Sequence, residues 1–515
     1  MNKLATTLLS VILCTGTLIA QENDPVVDAI IKEATENSQL ESLAHEMMDV
    51  IGPRLVGSPQ MKQAGKWAVQ KFNSWGIDAQ LENYGDWQGW QRGITHVDML
   101  EPRVESLQGT QLAWSPSTSK KGLEAQVVIL PTIENEDQFN NWLKTIKGKI
   151  VLTSMPQPTG RPDENWEEYA TDASFEKMKK DRDSMRDSYR DNLRNMGHNS
   201  RSIDEALEKA GAVAIIGSNW SRGFGVNKIF SARTKEIPTI DLELEDYGLL
   251  YRLAASGHTP KLHINAQSKD LGKQPTFNTI ATIKGTEKPE EYVILSAHYD
   301  SWDGGTGATD NGTGSITMME AARILKKHYP NPKRTIIVGL WGSEEQGLNG
   351  SRAYVEDHPE IVAGVQAVFN QDNGTGRVVR LSGGGFLQSY DYLSSWLNAV
   401  PNDITDKIET SFPGSPARGG SDYASFQAAG APAFSLSSLS WDYWNYTWHT
   451  NRDTYDKIVF DDVRNNAILT AILAYKASED PDKTSREQAV LPIDSRTGER
   501  REWPTPRSPI RTIDE

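Results

Sequence analysis

The chain of 515 residues contains one cysteine, Cys14, and that cysteine lies in its first twenty positions. If this segment is removed, neither thiol nor disulfide remains, which excludes a cysteine nucleophile and a disulfide-stapled scaffold. Basic charge is also scarce. Lys and Arg number 54 against 69 Asp and Glu, a formal net charge of -15. No stretch concentrates the basic face that a phosphate backbone requires, so nucleic acid is not an expected partner. Beyond residue 20 no run is long and apolar enough to cross a bilayer. There is no Gly-x-Ser-x-Gly elbow and no Gly-Lys-Ser/Thr phosphate loop, and His45-Glu46 meets Asp49 where a helical zinc motif needs its second histidine.

What is present begins with an export signal. Lys3 precedes a nearly uncharged apolar run, 4–20, with a cleavage position after Ala20. The run is shorter than the ~20 residues a comfortable span needs, so removal is expected rather than stable membrane insertion. Leu13 stands where lipid attachment to Cys14 would want a small residue. The expected location is therefore secreted or periplasmic. The length exceeds what one core supports, which predicts two domains plus appendages.

The segment 24–93 reads helical, with Ala44, Met47, Met48 and Ile51 at helix spacing, a break at Gly52-Pro53-Arg54, and a second helix over 61–75. Short strands are predicted at 125–130, 148–152, 211–216, 237–240 and 262–264. Between 161 and 201 a highly charged stretch predicts a solvated helical insertion. From Phe277 onward, strand-like runs at 293–296, 336–341 and 365–369 alternate with helices at 315–328 and 351–357, the pattern of an α/β sheet. After 478 a polar, proline-bearing tail is expected to pack poorly.

The chemistry concentrates just after these strands. His298, Asp300, Asp310, the pair Glu344-Glu345 and Asp372 all fall in short loops at strand ends, where open α/β sheets bind ligands. Carboxylates and imidazoles suit divalent ions, and two ions share a site when one carboxylate bridges them. The glycine-rich run around Asp310 allows close backbone approach, making Asp310 the candidate bridge. His449 is the expected second imidazole, and Trp441, Tyr443, Trp444, Tyr446 and Trp448 are a candidate cleft wall. Adjacent glutamates point apart, so one of Glu344 and Glu345 can bind metal while the other meets the attacking water. Asp300, two residues after His298, can reach back to its ring.

These residues resemble the co-catalytic zinc exopeptidases. The matching stretches are Gly52-Pro53-Arg54-Leu55-Val56-Gly57-Ser58, His298-Tyr299-Asp300-Ser301-Trp302-Asp303 and Trp341-Gly342-Ser343-Glu344-Glu345-Gln346-Gly347. Ser421-Asp422, Ala429-Gly430-Ala431-Pro432 and His449-Thr450-Asn451-Arg452-Asp453-Thr454 extend the likeness over roughly residues 40–475. The resemblance implies a mixed α/β sheet flanked by helices. It divides the chain into 21–110 as the N-terminal part of the peptidase domain, 111–268 as an inserted, β-rich protease-associated domain, 269–477 as the di-zinc domain and 478–515 as the tail. It implies two zinc ions, one on His298 and Asp372, the other on Glu345 and His449, with Asp310 on both. Glu344 becomes the general base and Asp300 the partner of His298, acting on a peptide substrate, and a homodimer is the implied assembly.

The leading expectation is hydrolysis of dipeptides or short peptides. The same ligands would serve an aminopeptidase on longer peptides. A non-catalytic binding protein on this scaffold is the alternative of a different class, and a two-metal phosphatase or nuclease lacks a basic phosphate clamp.

Overall fold

The computed structural model describes residues 24–513, so the expected signal peptide, 1–20, lies outside the described residues. In chain order the strands are β1 (Asp78–Glu101), β2 (Glu105–Leu107), β3 (Gly109–Gln111), β4 (Leu123–Ile129), β5 (Ile150–Leu152), β6 (Ala214–Gly217) and β7 (Thr239–Leu242). There follow β8 (Lys261–Ile283), β9 (Lys288–His298), β10 (Arg334–Trp341), β11 (Val365–Asn370), β12 (Val378–Ser382), β13 (Glu409–Ser411) and β14 (Ala433–Ser438). Their order across the mixed sheet is β13-β12-β14-β11-β9-β10-β8-β4-β5-β6-β7-β3, with β1 paired to β8 and β2 to β1.

The central strands β9, β10 and β11 are parallel and buried along their apolar length, as the continuous runs of Val, Ile, Leu and Ala require. Period-two alternation splits β9 between two cores. Val293, Leu295 and Ala297 face the helices Pro25–Glu36, Thr313–His328 and Phe460–Glu479, while Ile294 faces the opposite layer with Trp341 and Phe426. The strands 150–152, 214–217 and 239–242 build further cores of their own. Register decides the site: Trp341 lies beside His298, and Asn370 beside Ser296, so the loops carrying His298, Glu344 and Asp372 leave the sheet at one edge.

Three sequence expectations change. The helical reading of 24–93 holds for Pro25–Glu36, Leu40–Ala44, the π-helical turn His45–Ile51 and Pro59–Ser74, but residues 78–101 form β1. Its partner β8 lies about 180 residues away and pairs antiparallel along the whole ribbon, a tertiary contact that outweighs local propensity. The charged segment is helical, Asp163–Tyr169 and Asp172–Asn195, and its i,i+3 and i,i+4 ion pairs such as Lys177–Asp181 are exposed. Its end is anchored rather than wholly solvated, because Leu193 and Met196 pack with Phe139 and Ile203. The tail is also held. Trp503 packs on Phe386 and donates to the Ala489 carbonyl at 3.0 Å, the Ile510 amide donates to Asn349 at 2.8 Å, and the Arg511 carbonyl accepts from the Asp86 amide at 2.7 Å. Hydrogen bonds, one aromatic contact and the Arg511–Asp357 ion pair at 2.7 Å fix a segment that has little apolar surface to bury.

Asp241 on β7 is buried beneath the Asn219 amide, 2.9 Å away, and the Asn227 side chain. Burial pushes its carboxyl up to about 7, against the lowering effect of those donors. A carboxyl with a raised folded-state pKa contributes stability that is fully present below its unfolded value and is lost as pH rises through about 7. Asp241→Asn is therefore expected to remove a pH-dependent loss of about 4 kcal/mol between pH 4 and pH 8. Chemical denaturation across that range checks it; a variant and parent with parallel pH profiles would show that Asp241 ionises normally.

Candidate metal centre

His298 ends β9, and its ring is oriented from two directions. Its Nδ1 lies 3.0 Å from the Asp300 carbonyl, which can only accept, so the proton sits on Nδ1 and Nε2 faces the cleft. Nε2 is 3.1 Å from Asp372 and 3.4 Å from Asp310. On the other side, His449 Nε2 is 2.8 Å from Glu345 and 3.3 Å from Asp310. The two groups His298–Asp310–Asp372 and Asp310–Glu345–His449 each bring their ligand atoms within 4.8 Å of one another, and both contain Asp310.

Electrostatics argue for cations between them. Burial opposes charge on His298, yet the Asp372 and Glu344 carboxylates hold its pKa well above the usual imidazole range. Burial likewise works against Asp310, but His298 and His449 pull its carboxyl below the ordinary value. Burial, reinforced by neighbouring carboxylates, raises Glu344 and Glu345 far above theirs. Asp310 Oδ2 and Glu345 Oε1 have no hydrogen-bond partner among the described residues. Buried carboxylate oxygens facing one another without donors are costly, and divalent cations with oxygen and imidazole ligands offset that cost. The donor set therefore fits metal ions.

Asp300 faces His298 Nδ1 with its backbone carbonyl, at 3.0 Å, and with its carboxylate, at 3.7 Å. The carboxylate also accepts from the amides of Glu344, at 3.0 Å, and Glu345, at 3.2 Å. It thus ties the glutamate turn to the histidine loop, aided by Ser343 at φ 54.

Asp310 is positioned by residues to which the sequence alone assigned no role. The Asp453 carboxylate accepts from the Thr309 amide at 2.8 Å and the Asp310 amide at 3.0 Å. Arg54 is fully buried and donates to the carbonyls of Tyr299, Thr306 and Gly307 at 2.6, 2.9 and 2.8 Å, bracing both ends of the glycine-rich loop. The glycines there serve packing against this brace. A Cβ at Gly305 would come 2.6 Å from the Asp453 carbonyl, and one at Gly307 2.3 Å from the Ser301 Cβ. A signal existed for Arg54 and Asp453, since both lie in the motif stretches quoted above, but nothing local said what they touch.

His449 adopts φ 59, a backbone region rarely used by such residues. Its loop is clamped by the segment after β6: the Ile229 amide donates to the His449 carbonyl at 2.8 Å, and Asn451 donates to Asn227 at 3.0 Å. Trp448 stacks on the His449 ring at 3.9 Å, and Phe230 meets its other side edge-on at 5.1 Å. Of the five aromatics expected as a wall, Tyr443, Trp444 and Trp448 line the cleft, whereas Trp441 donates to Asp462 at 2.9 Å and Tyr446 turns toward Gly223.

The comparisons agree with this architecture. The model of peptidase family M28 matches residues 278–474. Carboxypeptidase Q of Mus musculus is 26% identical over 434 residues, covering 84% of each chain. The crystal structure of a peptidase M28 precursor from Shewanella amazonensis shares the fold, with a TM-score of 0.65, 24% identity and coverage of 91% of this chain and 98% of that one. A zinc aminopeptidase from Bacillus subtilis aligns with a TM-score of 0.53, 18% identity and coverage of 87% and 97%. Residues 278–474 thus match the model of peptidase family M28, and over most of its length the chain is similar to carboxypeptidase Q.

Proposed function

We propose that the protein is an exported metallo-exopeptidase that holds two zinc ions and hydrolyses dipeptides or short peptides. The observation that carries this reading is the pair of ligand groups meeting at Asp310. His298 and Asp372 would hold one ion, Glu345 and His449 the other, and Asp310 both. When bound, such ions supply Lewis acidity, polarising a peptide carbonyl and lowering the pKa of a water molecule.

The chain's own residues do the rest. Glu344 belongs to neither ligand group, lines the same cleft, and is held by its amide on Asp300. Burial raises its carboxyl above the ordinary carboxylate range, which favours accepting a proton and returning it. Glu344 takes the proton of the attacking water as the new C–O bond forms, then delivers it to the amine as the C–N bond breaks. Trp444 and Trp448 line one side of the cleft.

An aminopeptidase acting on longer peptides is the second reading, favoured by the likeness to the Bacillus subtilis zinc aminopeptidase. Metal counting by mass spectrometry, with hydrolysis assays on free, N-blocked and C-amidated dipeptides, tests both. The expected result is two zinc ions per chain and cleavage of free dipeptides. Protein that takes up no zinc and leaves every peptide intact would overturn the reading.

A further inference from the structure

The turn that carries Glu344 and Glu345 is held in an unfavourable backbone conformation. Ser343 and Leu348 adopt left-handed φ values of 54 and 59, which residues other than glycine rarely use, and Gly347 lies at 112. Such a turn persists only where its surroundings enforce it.

Apart from the Asp300 carboxylate, two side chains hold it from behind. Tyr84 on β1 is buried, and its hydroxyl lies 2.6 Å from the Ser343 Oγ. Asn349, which opens the helix Asn349–Asp357, is fully buried. Its backbone amide donates to the Ser343 carbonyl at 3.0 Å, and its side-chain Nδ2 donates to the Gln346 carbonyl at 3.2 Å.

Both holders are tied in turn to the end of the chain. The Ile510 amide donates to the Asn349 side-chain oxygen at 2.8 Å, which keeps the Nδ2 of that side chain facing Gln346. The Arg511 guanidinium donates to the Tyr84 carbonyl at 3.2 Å and grips both carboxylate oxygens of Asp357, at 2.9 and 2.7 Å. Such a forked pair fixes direction as well as distance. Arg511 therefore joins the strand that presents Tyr84 to the helix that begins at Asn349. The seat is shaped for this segment: a Cβ at Gly85 would lie 1.9 Å from the Arg511 carbonyl oxygen, so a side chain there would displace it. Residues 510 and 511 lie outside 278–474, the span matched by the family model.

We propose that Ile510 and Arg511 are positioning residues for the Glu344-Glu345 turn. With the C-terminal segment docked, Tyr84 and Asn349 hold the two glutamates in place; with it undocked, the strained turn relaxes and the glutamates shift. The chemical role of those glutamates rests on the metallopeptidase reading above.

The test compares the zinc-loaded parent with a chain ending at Pro509 and with Arg511→Ala. In both variants kcat for alanyl-phenylalanine is expected to fall about 10- to 100-fold while KM stays within about twofold, because a small displacement of a reacting group is enough to slow the chemistry. Arg511→Lys keeps the charge without the fork and recovers part of the loss. Hydrogen exchange gives a readout that needs no turnover. The amides of 344–350 are expected to exchange about tenfold faster in the variants, while those of β9, β10 and β11 keep parental rates. If the shortened chain does not fold, Arg511→Ala decides alone. Parental kcat, parental exchange over 344–350, or acceleration spread evenly along the chain in Arg511→Ala overturns the inference and leaves the metallopeptidase reading intact. A zinc-loaded parent that cleaves no peptide overturns that reading instead, and exchange over 344–350 then decides the positioning role.

Discussion

Glu344→Gln is expected to lower kcat by about 10²- to 10⁴-fold while leaving the metal content and KM close to those of the parent. The amide is nearly isosteric, so packing and the bond from the Glu344 backbone amide to Asp300 survive. What disappears is the ability to take a proton. Because Glu344 lies outside both ligand groups, metal binding is not expected to follow activity down. Steady-state kinetics with metal analysis on the same preparation checks this. Undiminished turnover would remove Glu344 from the mechanism, and loss of an ion would make it a ligand.

Replacement of Asp310 has a different signature. As the member common to both groups, it is expected to take both ions with it, whereas Asp372→Ala and Glu345→Ala each disturb mainly one. In the parent, zinc at a hundredfold excess over Kd should stabilise the fold by about 2.7 kcal/mol per independent site, and Asp310→Ala should forfeit most of that gain. In chelator the order should narrow or reverse. There the parent carries Asp310 beside Glu345, whose carboxyl is raised by burial and then by that neighbour, and the variant is relieved of the repulsion. Thermal denaturation with and without zinc measures both effects. A variant retaining two ions at parental affinity would refute the bridging role.

Much of this centre was legible in the order of residues. The apolar runs ending at His298, Trp341 and Asn370 are too uniformly hydrophobic to lie anywhere but in a buried parallel sheet, and polar residues immediately after such runs emerge at one edge. That logic reached His298, Asp310, Glu344, Glu345 and Asp372, and the need for a second imidazole reached His449. For Asp300, spacing two residues from the histidine let both the carboxylate and the backbone carbonyl reach toward the ring, and only the folded loop set the carbonyl nearer. The logic failed for β1, since an alternating pattern with few apolar residues specifies a strand only once its partner is present.

The sequence by itself determined which residue types gather: carboxylates and imidazoles whose atoms suit a cation, placed just after buried strands. These are properties of residue type and hydrophobic pattern, which are local. Tertiary structure decided how those groups are held and from which side they are reached. Arg54 crosses from residue 54 to the carbonyls of 299, 306 and 307, Asp453 reaches back to the amides of 309 and 310, and the loop after β6 clamps His449 in its left-handed conformation. Such contacts join segments more than a hundred residues apart, and their energy exists only when the chain has folded, so no local pattern records them.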